Sequence, residues 1–305
     1  MRAIDRSKRS GTLLPCALVV LQSVLYGFGD PISKLAYDEV PLFTLLTVRY
    51  WIAFFALLLL FGRSVLRELK TASWRSLLPP CLCIATTYLI SNLALVLTSA
   101  TSVAFLRSLS TVVTPLLALL VFRQRLSRRL LPVYVLVVAG LYLLCGRGGL
   151  SGFGAGEICA LLSAGLTAGA LLFGERSLRG VSAAALTTVQ AGMSALLALV
   201  CALIFEGGVR TDTISPLSWG IIAYLAVLCT AAGYLLQNLA MYTISARTVA
   251  LLQCLCPVMT AVFSFFLLRE RLSAAGLAGT ALILTAVAAA TRLDTPSGRP
   301  PETAA

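Results

Sequence analysis

The 305-residue sequence contains no histidine. That removes the side chain that most readily exchanges a proton near neutral pH and the commonest metal ligand. Carboxylates are scarce as well, with 12 Asp and Glu in all, and no two of them share a helix face within an apolar run. No glycine-rich run ending in Gly-Lys-Ser/Thr is present to cradle a nucleotide phosphate. Hydrolytic or transfer chemistry needs a base, an activated nucleophile or a metal cluster. A membrane-embedded enzyme is therefore only a remote alternative, and no catalytic residue, metal or cofactor is expected. The nine cysteines all sit inside apolar stretches, and the pairs Cys81/Cys83 and Cys254/Cys256 lack the spacing of a zinc site. They read as small hydrophobes packed between helices.

Charge is also low, at 12% of residues against 59% hydrophobic, and the mean hydropathy is +0.93. Soluble domains carry about a quarter charged residues, and disordered chains are poor in apolar ones. The surplus apolar surface must face lipid. A membrane helix needs roughly 20 apolar residues, because the hydrocarbon layer is about 30 Å thick and each residue rises about 1.5 Å. Ten segments fit: 12–34, 41–62, 77–98, 100–122, 129–146, 156–175, 181–205, 218–242, 246–268 and 272–291. The expected fold is an all-α membrane protein of ten transmembrane helices, monomer or homodimer, with a basic N-terminus (1–11) and a polar, Pro-rich, disordered tail (292–305). The net charge of +12 sits in short clusters between apolar runs. It therefore signals topology rather than a nucleic-acid partner. Seventeen Lys and Arg fall on the side of the termini and four in the opposite loops, which predicts cytoplasmic termini in a cell membrane. The first apolar run is too long for a cleaved leader and lacks a small-residue cleavage site, so it is expected to stay as a helix.

The chain resembles itself. Residues 88–127 align without a gap on 234–273, with 17 of 40 positions identical, including Tyr88/Tyr234, Asn92/Asn238 and Ser99/Ser245. Weaker echoes align Phe28-Gly29-Asp30 with Phe173-Gly174-Glu175, and Thr47-Val48-Arg49 with Thr188-Val189-Gln190. The repeat unit is then five helices, 12–146 and 156–291, joined by a linker at 147–155. Five is odd, so the second copy crosses in the opposite sense. Trp74 and Trp219 occupy matched positions at opposite interfaces. Inverted repeats of this kind are the architecture of secondary transporters, with a midplane site between the copies.

At this point the chain resembles the drug/metabolite transporter superfamily, in its ten-helix EamA-type branch. The resemblance rests on the paired five-helix halves, on Tyr26-Gly27 followed by Arg49, and on Pro257 followed by Glu270 in Arg269-Glu270-Arg271-Leu272-Ser273. The first copy departs from it: Thr111 replaces the proline and Gln124 the glutamate, while Pro115 lies one turn later, so its kink is expected to differ in place. The resemblance implies an alternating-access carrier, often an exporter of amino acids or other small metabolites.

Ionisable groups at membrane depth are costly and usually functional or paired. Arg49 lies about 12 Å and Arg107 about 10 Å inside the outer ends of their helices, while Asp30 lies roughly one turn inside its own and Asn92 at a depth similar to that of Asp30. Gly27, Gly29 and Pro31 around Asp30 predict an interrupted helix that opens backbone groups to a cavity. Lys34 is expected to snorkel to the outer interface, leaving Asp30 between Arg49 and Arg107. Tyr88/Asn92 and Tyr234/Asn238 share helix faces at i, i+4. The second copy substitutes Gln190 for Arg49 and Gln253 for Arg107. The expected substrate-binding set is Tyr26, Asp30, Arg49, Tyr88, Asn92, Arg107, Tyr234, Asn238 and Gln253, with Phe28 as a further aromatic wall. The excess positive charge favours an anionic or zwitterionic small molecule, such as an amino acid leaving the cell. An exchanger of organic phosphates or nucleotide-linked sugars is the alternative.

Overall fold

A computed structural model describes residues 2–123, 131–145, 154–211, 214–269 and 274–293. Among them every regular element is helical. The helices are α1 (Arg2–Ala36), α2 (Leu42–Leu69), α3 (Trp74–Leu97), α4 (Ala100–Ser108), α5 (Ser110–Phe122), α6 (Leu131–Cys145), α7 (Ala155–Ser177) and α8 (Ala183–Phe205). They continue with α9 (Pro216–Tyr224), a π-helical segment (Leu225–Ala232), α10 (Gly233–Ala240), α11 (Ala246–Leu252), α12 (Leu255–Leu267) and α13 (Ala274–Leu293). The contiguous pairs α4–α5 and α11–α12, and the run from α9 to α10, each make one crossing.

Among the described residues eight crossings are long and apolar enough to span a membrane. The remaining two of the expected ten are not confirmed at full length. Among the described residues the apolar stretches within α6 and α13 are Leu131–Gly140 and Leu277–Ala289. These two helices pack against each other. The linker at 147–155 and the tail at 292–305 lie largely outside the described residues, as do Gln124 and Glu270.

Serine residues set many of the boundaries. Ser99, Ser182, Ser215 and Ser245 each accept a hydrogen bond from the amide of the residue three further on. That satisfies one of the amides a helix start leaves unpaired. Two of these caps, Ser99 and Ser245, are matched in the repeat. The breaks lie close to matched places but not on them: α4 gives way to α5 at Leu109, the mate of Leu255, whereas α11 gives way to α12 at Gln253 and Cys254, so the first-copy kink differs in place, with no proline at Thr111 to set it. Instead, the Thr111 hydroxyl donates to the Ala250 carbonyl at 2.8 Å, tying the two broken helices together.

The copies interdigitate rather than forming separate bundles. Helix α3 lies along α7, α2 along α8, α6 along α13, and α1 along α12 and α10, each pair crossing from one copy to the other. Small residues permit the close approach: Ala160, Ala164 and Ala168 line one face of α7, and Ala191, Ala195, Ala198 and Ala202 one face of α8, all fully buried. In lipid such stripes replace the hydrophobic effect as the basis of helix association, through dense van der Waals packing. Gly27 is tighter still, since a Cβ there would stand 2.9 Å from the Met259 backbone.

Matched helices run antiparallel. The Glu68 carboxylate at the end of α2 accepts from the Ser182 amide and hydroxyl at the start of α8, at 2.7 and 2.6 Å. The Glu206 carboxylate at the end of α8 accepts from the amides of Phe43 and Thr44 at the start of α2, at 2.7 and 2.8 Å. A negative charge at a helix N-terminus also meets the positive end of its dipole. The Glu68 contact marks the terminal face, where the chain enters. The Glu206 contact marks the opposite, distal face. Glu39 joins the distal set by accepting from the Ser215 amide at 2.7 Å and from the hydroxyls of Ser215 and Ser218. These bonds hold its carboxyl below the ordinary value.

Candidate functional site

Two cavities lie between the copies, one above the other. Thr87, Thr167, Gln237 and Gln253 are among the residues that line the terminal-side cavity. The distal cavity is lined by Asp30, Ser33, Arg49, Asn92 and Cys229, among others. Tyr26, Tyr88 and Arg107 line both and form the partition.

The partition rests on an ion pair. Arg107 donates to Asp30 at 2.6 and 3.4 Å through its two terminal nitrogens, a forked contact that matches a planar guanidinium to a carboxylate. It also donates to Ser91 at 3.3 Å and reaches the Cys256 sulfur at 3.6 Å. Arg49 stands apart. It is 4% exposed, donates its Nε to Thr230 Oγ1 at 2.9 Å, and lies 5.3 Å from the centre of the Tyr50 ring. Among the described residues no carboxylate lies within ion-pair distance of it. The expectation that Asp30 would face both arginines is thus corrected: Asp30 shares a cavity with Arg49 but pairs with Arg107. Lys34 stands near the distal end of α1. Its ammonium donates to the Thr98 carbonyl at 2.9 Å, and the Thr98 hydroxyl donates to Glu157 at 2.5 Å, so Lys34 closes the distal rim.

Helix α1 does not break at Gly29 and Pro31 as expected. It runs unbroken to Ala36, and the Ser33 hydroxyl donates to the Gly29 carbonyl at 2.7 Å. The interruption sits in the facing crossing, where a π-helical turn spans Leu225–Ala232. There the Thr230 hydroxyl donates to the Leu225 carbonyl five residues back, at 3.0 Å, and accepts from Arg49. π-Turns are rare and gather at functional sites. This one puts a hydroxyl where the Arg49 fork needs an acceptor.

Tyrosines make the walls. Tyr88 packs against Tyr26, Tyr50 and Tyr234, with ring centres 6.3, 6.4 and 5.5 Å apart. Tyr88 and Tyr234 are repeat mates, so the pseudo-twofold relation passes between their rings. The hydroxyls of Tyr26, Tyr50 and Tyr234 are buried; that of Tyr26 faces Tyr88 and Gln22, and that of Tyr50 faces Tyr234. Gly233 admits the Tyr26 ring, since a Cβ there would stand 2.6 Å from it. Phe28 is no cavity wall. It packs edge-on against Tyr224 and Phe263, each 5.1 Å away.

The remaining expected residues divide. Asn92 lines the distal cavity, accepting from the Tyr37 hydroxyl at 2.6 Å and donating to the Tyr88 carbonyl at 2.7 Å. Its mate Asn238 lines neither cavity. It is fully buried and donates to Thr187 and Gln190, each at 2.9 Å. Tyr234 stays behind Tyr88. Gln253 does line the terminal-side cavity, where its amide donates to Gln237 at 2.8 Å and Gln22 at 3.1 Å. Gln22 and Gln237, themselves 3.0 Å apart, were missed by sequence reasoning, although two glutamines inside apolar runs are a readable signal. The repeat survives in the bonding: Arg107 reaches Ser91, and its mate Gln253 reaches Gln237, the mate of Ser91.

The EamA-like transporter family matches the chain over residues 13–146 and again over 154–292. No curated protein matches it. A solved crystal structure is similar over 93% of this chain and 97% of its own, with a TM-score of 0.72 at 20% identity, which shows a shared fold.

Proposed function

Because the chain belongs to the EamA-like transporter family, and is a multi-pass membrane protein, we propose that it is a secondary transporter working by alternating access. It moves a small carboxylate-bearing metabolite, such as an amino acid, out of the cell across the cell membrane. In this reading the short α6 and α13 complete ten crossings and both termini are cytoplasmic, so the distal cavity faces outward and the terminal-side cavity inward. The observation that carries the reading is the partition: Arg107, Tyr26 and Tyr88 separate two cavities and belong to both. A guanidinium there hands a carboxylate from one side to the other by releasing Asp30 and gripping the cargo with the same fork.

Arg107→Gln in reconstituted vesicles tests it. Losing a charged hydrogen bond of about 1.5–3 kcal/mol lowers flux by about 10- to 100-fold. The double variant Arg107→Gln/Asp30→Asn leaves no buried charge unpaired in that pair and stays equally inactive. Full transport by the folded double variant would remove Arg107 from the site. The two arginines also favour a second reading, exchange of organic phosphates or nucleotide-linked sugars. It demands that a counter-substrate on the far side accelerate flux.

A further inference from the structure

We infer that the cargo crosses as a species of net charge −1, so that its outward movement is driven by the membrane potential, without a co-transported proton. This deepens the proposed function and rests on its reading of the two cavities as the transport site.

The charge balance of the site carries the argument. Among the described residues lining the cavities, the charged side chains are Asp30, Arg49 and Arg107. Asp30 is spent on Arg107 at 2.6 Å. Arg49 has a hydroxyl and a ring face but no carboxylate, and a guanidinium does not release its proton in a protein. The site therefore holds one uncompensated positive charge, an unfavourable state in a low-dielectric interior. A zwitterion leaves that charge in place whichever way it lies, a dianion overshoots it, and a monoanion cancels it. A coupling proton is disfavoured by the same balance: placed on Asp30, it would strand Arg107 and raise the site to two unpaired positive charges. No histidine exists to carry it instead. With a negative interior, export of a monoanion needs no other energy source. Each 100 mV supports a gradient of about 50-fold, about 2.3 kcal/mol.

The test uses two probe pairs with shared skeletons and different net charge: L-lactate against L-alanine, and L-glutamate against L-glutamine. Radiolabelled probes are loaded into vesicles containing the purified full-length protein, potassium gradients with valinomycin set the potential, and protein-free vesicles give the background. At least one anion should move 10-fold or more faster than its neutral partner. Its steady-state distribution should shift about 50-fold per 100 mV, and collapsing the pH gradient should leave that shift intact. Preference for the neutral partners, or accumulation that follows the pH gradient, overturns the inference. Arg49→Gln should lose the anion flux, whereas Arg49→Lys keeps the charge and should keep the dependence on potential at reduced flux. Flux lost in Arg49→Gln but indifferent to potential sinks the charge inference alone. Flux untouched by Arg49→Gln, or no flux of any probe, sinks the site reading with it.

Discussion

The two cavities are products of one duplicated sequence, yet they carry opposite chemistry. On the distal side stand Asp30, Arg49 and Asn92; on the terminal side Gln237 and Gln253 meet Gln22. The backbone obeys the repeat while the side chains break it. Arg107 and Gln253 sit at matched places on matched broken helices and reach matched neighbours, but only one is charged. A charged cavity holds an ion and resists its passage. A neutral amide cavity offers hydrogen bonds without that penalty. The asymmetry therefore lies in the side chains, on a backbone that keeps the repeat.

The largest expected effect comes from breaking the pair that separates the cavities. Asp30→Asn strands Arg107, and removing one partner of a buried ion pair costs about 3–5 kcal/mol. Thermal unfolding in detergent should show a clear drop in Tm. Adding Arg107→Gln should recover most of it, because the stranded charge is then gone. A double variant no more stable than Asp30→Asn would show that the two residues do not act as a pair.

Next comes the crossing that positions α1 between the halves. Gly27→Leu must push α1 away from α12, where even one Cβ meets backbone at 2.9 Å, and overpacking costs about 1–3 kcal/mol. Gly220, with nothing within 4 Å of an added Cβ, is the control. Gly220→Ala should stabilise by about 0.5–1 kcal/mol, because glycine is poor in a helix. Equal Tm shifts in the two variants would mean that the tight crossing is not a constraint.

The two asparagines sharpen the comparison further. Asn238→Leu removes donors from Gln190 and Thr187 and should lower stability by about 1–3 kcal/mol while leaving the affinity of a transported probe unchanged. Asn92→Leu alters the lining of the distal cavity and should weaken that affinity. Measuring KM and Tm for both separates the roles, and a KM change in Asn238→Leu would bring that residue back into the site.

Sequence periodicity and repetition made the fold legible. The crossings follow from apolar run length, and the inversion from an odd repeat unit. The Arg49 and Arg107 region was legible because a charge inside an apolar run has few reasons to be there. What stayed hidden depended on neighbours distant in the chain. Nothing local distinguishes Leu225–Ala232 from an ordinary helix; the π-turn appears where Thr230 meets Arg49, 181 positions away in sequence. Asp30 was assigned to both arginines because depth along a helix was known but azimuth was not. Asn238 was expected in the cavity by analogy with Asn92, yet its partner Gln190 turns it inward, where the matched Arg49 turns elsewhere.

The smallest effect concerns the distal rim, where Glu39 joins α1 to the start of α9. Its carboxylate accepts from the hydroxyls of Ser218 and Ser215 and from the Ser215 amide, and these bonds lower its folded pKa from the ordinary 4.5. The unfolded chain then binds the proton more readily than the folded one. The stabilisation is present above pH 4.5 and is lost as pH falls through the depressed folded value. Glu39 is fully exposed, so solvent screens the effect and the change in Tm is slight. Glu39→Gln lacks the charge and should therefore remove the corresponding part of the acid-induced fall in Tm between pH 6 and about 3. If the two proteins lose stability in parallel over that range, the Glu39 clasp does not hold the distal ends of α1 and α9 together, whereas Glu206, by the same chemistry, remains free to hold α2 to α8.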